Sequence, residues 1–187
     1  SNLAAELKKI KDPIEQIEVV KGLLTGPKIL TDPTQEKEAL RVLKKRASGR
    51  IPDPEAMFIL AAVCGKGLMS LPVDHAKAFD LYFKAAKLNH PTACFRVAVC
   101  YELGVGTKKD QARAYQFYRK AASLGDNLAM HKLALILLYG KLGQRKNLKE
   151  GVTWLKRAAN NADEQHPESL HDLAQCFERK GGCPVVI

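Results

Sequence analysis

The sequence has no Cys-x-x-Cys pair, no Asn-x-Ser/Thr sequon and no apolar run near the roughly 20 residues that a membrane-spanning helix needs. Its first 20 residues carry Glu6, Asp12, Glu15 and Glu18 where a signal peptide would have an apolar core. Five cysteines, Cys64, Cys94, Cys100, Cys176 and Cys183, form an odd set. A disulfide framework is therefore not expected, the compartment is expected to be reducing and cytosolic in type, and the thiols are expected to act as small buried hydrophobes. No alternating strand pattern and no Walker-type phosphate loop is present, and Gly104-Val105-Gly106 follows a helical pattern where a dinucleotide fingerprint follows a strand. His166, His171 and Cys176 stand five apart, and Cys94 and Cys100 six apart, so neither set shares a helical face as a pair of metal ligands would. No cofactor, metal or small-molecule substrate is expected.

What is present suits a folded chain. Of 187 residues, 46% are hydrophobic and 27% charged, enough to bury a core in one domain. Thirty basic and 20 acidic residues leave a net +10. The excess is spread along the chain: residues 1–53 carry 11 basic and 8 acidic groups, 54–90 carry 4 and 3, 91–126 carry 6 and 3, and 127–187 carry 9 and 6. Such an even spread reads as a solvated outer surface and makes nucleic acid a poor partner. Lys44-Lys45-Arg46, Lys108-Lys109 and Arg145-Lys146 remain candidates for attraction to an anionic membrane surface.

An internal repeat decides the architecture. Residues 54–67, 91–104, 127–140 and 167–181 are copies of one pattern, and taking Ala56, Ala93, Ala129 and Ser169 as its register gives spacings of 37, 36 and 40 residues. Apolar side chains recur four, five, seven and eight residues after the register position, the one-sided spacing of an amphipathic helix, and Gly67, Gly104 and Gly140 follow as stops. A second segment, 78–86, 114–122 and 151–159, ends each time in paired alanines that leave room for a neighbouring helix; Tyr82, Tyr118 and Trp154 add bulk. Asp74 and Asp110 are the expected N-caps of these second helices. Asp-Pro at 12–13, 32–33 and 53–54 marks helix starts, and helices are expected over 3–10, 13–24 and 35–48. The fold class is thus all-α, a superhelical solenoid of helix-turn-helix repeats, divided as N-terminal helices with a degenerate first repeat (1–53), repeats at 54–90, 91–126 and 127–165, and a truncated last repeat at 166–187. Because 183–187 stop where a helix should begin, the chain is expected to be part of a longer protein.

The Ala-x-x-x-Leu/Val-Ala helices, the Gly-Val-Gly turn at 104–106 and the Lys-Ala-Ala endings resemble the Sel-1-like repeat, a relative of the tetratricopeptide repeat. Residues 139–163 and 166–174, with the Leu142-Gly143 insertion and the helix running from Glu150 through Trp154 to Ala159, are more narrowly similar to the array of fungal chitin synthase regulatory subunits. That resemblance implies a non-catalytic scaffold that activates or localises a membrane-bound chitin synthase from its cytoplasmic side in cell-wall and septum synthesis. Members often end in a prenylation box; here Cys183 is fifth from the end, so any lipid anchor is expected in sequence beyond this chain. The alternative is a Sel-1-like adaptor in quality control or signalling, and a hydrolytic or redox enzyme comes third.

If first helices line the concave face, as in related solenoids, positions two, six and nine after the register point at a partner. The candidate partner-binding residues are Phe58, Ala62, Phe95, Val99, Glu102, His131, Leu135, Leu138, His171 and Gln175. Phe58 and Phe95 have an equal second reading, as packing between neighbouring repeats. Arg96, Lys132 and Asp172 are expected to be solvated or to pair between repeats.

Overall fold

Aspartate before proline is a helix start for two reasons: the carboxylate accepts an orphan backbone N–H of the first turn, and proline loses no hydrogen bond at the first helical position. In the computed structural model, which describes residues 3–25 and 32–161, that rule places the starts. Asp12 Oδ1 accepts from Ile14 N–H, Asp32 Oδ1 from Thr34 N–H and Asp53 Oδ1 from Glu55 N–H, each near 3 Å. Among the described residues every regular element is a helix: α1 Leu3–Lys9, α2 Pro13–Thr25, α3 Pro33–Ala47, α4 Pro54–Lys66, α5 His75–Lys87, α6 Pro91–Leu103, α7 Gln111–Ser123, α8 Asn127–Tyr139 and α9 Leu148–Asn160. The expected helix at 35–48 begins two residues earlier, because the Asp32 cap recruits Pro33 and Thr34 into its first turn.

The chain divides into two units, one of Ser1–His90 with Val105–Thr107 and one of Pro91–Gly104 with Lys108–Ile187. In the first, α2 and α3 pack together, α3 packs on α4, and α4 forms a hairpin with α5; Leu7, Ile17, Val20, Leu43 and Val63 are closed from solvent. In the second, α6 pairs with α7, and α8 packs on both α7 and α9 around Val97, Tyr118, Leu133, Ile136 and Leu155.

Each hairpin turn is built the same way. The first helix ends in a left-handed glycine, Gly67 in the first unit and Gly104 and Gly140 in the second. The N-cap residue of the second helix then donates its backbone N–H back to the carbonyl eight residues after the register alanine: Asp74 to Cys64, Asp110 to Tyr101 and Asn147 to Leu137, at 2.9, 2.9 and 2.8 Å. The alanine pairs, Ala85 and Ala86, Ala121 and Ala122, and Ala158 and Ala159, are buried as anticipated. With no side chain beyond Cβ, they let the packed helices approach closely.

Candidate partner-binding site

The first unit contributes Phe58 and Ala62, both half-buried on α4. Phe58 stacks on the His90 imidazole with ring centroids 4.8 Å apart and tilts against Tyr82 of α5 at 5.6 Å. Both ring partners lie in the same repeat as Phe58. Glu55, one residue before the register alanine, accepts from His90 Nε2 at 2.5 Å and from Lys21 Nζ of α2 at 3.1 Å. The His90 bond, helped by Lys21 and opposed by burial, holds the Glu55 carboxyl below the usual carboxylate range. Sequence reasoning missed this Lys21–Glu55–His90 cluster. Its only trace is an acid and an imidazole 35 residues apart, about one repeat period.

The second unit brings Phe95, Val99, Glu102, His131 and Leu135 into half-exposed positions on α6 and α8. Phe95 tilts against Tyr118 of α7 at 5.7 Å, again within its own hairpin. Glu102 is committed internally: one carboxylate oxygen accepts from the Tyr118 hydroxyl and the other from Lys132 Nζ at 2.9 Å. Lys132 also sits 5.7 Å from the Tyr118 ring centroid. Burial works against the charge on Glu102, but these two donors outweigh it and keep the carboxyl below its ordinary range; the Tyr118 hydroxyl is pushed up by its own burial and by Glu102. The expected pairing of Lys132 between repeats is present, whereas Arg96 is exposed.

Leu138 requires a correction. The repeat register predicts it on the partner face, but its side chain is only 1% exposed. A Cβ added to Gly151 would lie 2.8 Å from Leu138 Cγ and Cδ2, so this leucine fills the notch left where α9 has glycine and the other second helices have Ala78 or Ala114. At the equivalent pair in the first unit, Gly65 meets the Ala78 Cβ at 3.3 Å. The position nine after the register is thus a contact inside the hairpin. His171 and Gln175 lie outside the described residues, as do Asp172, Cys176 and Cys183.

The chemistry on view is that of contact. Burial pushes the Cys64, Cys94 and Cys100 thiols up, the reverse of what a nucleophile at neutral pH needs. Among the described residues no three His, Cys, Asp or Glu side chains cluster to hold a metal, and no helix is long and apolar enough to cross a membrane. The half-exposed side chains Phe58, Ala62, Phe95, Val99 and Leu135 are apolar, while the nearest polar groups spend their hydrogen bonds on one another.

The hairpins have counterparts among known proteins. A crystal structure of a Sel1 repeat protein from Oxalobacter formigenes superposes with a TM-score of 0.73 at 26% identity, over 90% of this chain and 65% of that one. Chitin synthase regulatory factor 3 of Schizosaccharomyces pombe is 38% identical over 144 residues, 75% of this chain and 16% of its own length. Chitin synthase regulator SKT5 of Saccharomyces cerevisiae is 34% identical over 154 residues, 81% of this chain and 22% of its own. The chain therefore spans less than a quarter of these curated relatives. The Sel1 repeat family model matches residues 54–90, 91–126 and 127–163, more than half of the sequence, and the chain belongs to the Sel1 repeat family.

Proposed function

We propose that this chain is part of a non-catalytic regulator that binds the cytoplasmic part of a membrane-bound chitin synthase and activates or localises it during fungal cell-wall and septum synthesis. The observation that carries the reading is the 38% identity to a chitin synthase regulatory factor over 144 residues. The placement of apolar, half-exposed side chains on first helices supports it, because such side chains gain from burial against a polypeptide without unpairing any polar group. Phe58, Ala62, Phe95, Val99, His131 and Leu135 supply the contacts, with the edge of Glu102 beside them. A regulator of this kind acts by binding the active or correctly placed state of the enzyme more tightly than the other state. The protein then sits at the cytoplasmic face of the plasma membrane through its partner.

The test uses the full-length protein as bait on solubilised fungal membranes, with mass spectrometry of what is captured. Phe58→Ser, Phe95→Ser and Leu135→Ser together are expected to abolish capture of the synthase while the helical circular-dichroism signal persists. Capture at wild-type level would refute the assignment of these side chains.

A further inference from the structure

The two most exposed large hydrophobic side chains among the described residues are Ile51, 90% exposed, and Ile14, 68% exposed. They lie at one place in the first unit. Ile14 opens α2, Ile51 tops the connection between α3 and α4, and both border a hollow of about 690 Å3 lined also by Lys45, Arg46, Arg50 and Pro52. The connection is held in shape: Asp53 donates its backbone N–H to the Arg46 carbonyl at 2.9 Å, and Pro52 and Pro54 restrict the backbone beside it. Ile51 is therefore presented in water by a braced loop, at a standing hydrophobic cost that folding does nothing to relieve.

Of the charged side chains that line the hollow, the exposed ones are basic, while the exposed Asp12 and Glu15 flank Ile14 outside that lining. Lys45 and Arg50 are exposed, and neither makes an ion pair among the described residues. Arg46 is turned inward onto Gln16 Oε1 at 2.7 Å. The one carboxylate on the hollow, Asp53, is spent on the first N–H groups of α4.

We propose that the hollow between the start of α2 and the α3–α4 connection is a contact site for an anionic phospholipid surface, with Ile14 and Ile51 entering the acyl boundary and Lys45 and Arg50 facing the headgroups. The arrangement favours a bilayer over an acidic peptide. A peptide groove keeps its apolar side chains on the floor, where shape complementarity rewards them, whereas here the isoleucines stand out from the rim. A lipid surface demands no shape match, accepts protruding apolar side chains and supplies the negative charge. This deepens the proposed function by giving the chain its own hold on the membrane. It needs no synthase, so protein-free vesicles test it and the failure of one reading leaves the other standing.

The experiment is co-sedimentation of the 187-residue chain with phosphatidylcholine vesicles, with and without phosphatidylserine. Binding is expected only with phosphatidylserine and is expected to weaken with added salt. Lys45→Glu with Arg50→Glu should lower the affinity by about tenfold or more, at ~1 kcal/mol for each cation lost near the surface. Ile14→Ser with Ile51→Ser should lower it at constant charge, by a similar factor. Lys108→Glu with Lys109→Glu, a basic pair elsewhere in the chain, should change it little. All six replaced positions are exposed, and an unchanged thermal melt verifies folding. No binding to anionic vesicles would overturn the proposal, as would equal loss in the Lys108/Lys109 control or indifference to the isoleucine replacements. So would absence of vesicle binding combined with capture of an acidic peptide through the same four residues.

Discussion

At Gly106 the backbone of the Gly-Val-Gly turn runs against α5 so closely that a Cβ would sit 2.2 Å from the His75 carbonyl oxygen, and φ is +72°. Only glycine satisfies both conditions. Gly106→Ala is expected to cost about 3 kcal/mol in urea unfolding, combining a left-handed penalty with overpacking against backbone. Gly125 has φ +95° but open space around it, so Gly125→Ala should cost only about 1 kcal/mol. Equal losses at the two sites would show that the close approach is not what Gly106 serves. Glu55 makes a second test at this scale. Its carboxyl is held low in the folded chain, chiefly by the His90 hydrogen bond. The resulting stability is complete above the ordinary glutamate value of 4.5 and is lost as the pH falls through the lowered folded value. The urea midpoints of wild type and Glu55→Gln should therefore differ most near neutrality and converge in acid. A gap that stays constant into acid would remove the ionised pair from the account.

Between elements, the decisive feature is how hairpin partners share volume. α9 has Gly151 where α5 has Ala78 and α7 has Ala114, and α8 answers with Leu138 where α4 has Gly65. Leu138→Ala should cost about 3 kcal/mol, as expected for a closed leucine whose site cannot fully collapse. Gly151→Ala should cost about 1–3 kcal/mol, because the new methyl meets Leu138 and both helices must give. In the Leu138→Ala background the same change should become stabilising, by up to about 1 kcal/mol, since it part-fills the cavity and improves helix propensity. A double-mutant cycle by urea denaturation reads the sign directly; additive losses would mean that the two residues do not share the space. This pairing also explains why position nine after the register, sound as a helical-wheel argument, put Leu138 on the wrong face. The wheel fixes the angle of a side chain on its own helix, but the size of the residue opposite decides whether that angle leads outward or into a notch.

For the molecule, stability is unevenly distributed. α1 has seven residues and buries only Leu3 and Leu7, whereas α8 buries seven of its thirteen and packs on helices to both sides. Native-state hydrogen exchange should therefore protect the amides of Leu133, Ile136 and Leu137 at least about a hundredfold more than those of α1; comparable rates would contradict this ordering. The helices, their caps and the glycine stops were legible in the sequence because each depends on contacts within a few residues: Asp before Pro, glycine after an apolar stripe, alanine pairs one period apart. The all-α class followed from the repetition of those local signals. The Lys21–Glu55–His90 cluster, the Glu102–Tyr118–Lys132 network and the burial of Leu138 were not legible, since each joins residues beyond the reach of a single helix. Sequence alone determined which segments are helical and which of their stripes are apolar, because backbone capping and helical period act over one or two turns. Only the tertiary structure decided which stripe residues remain open to solvent, because that depends on the side chain facing them across the hairpin.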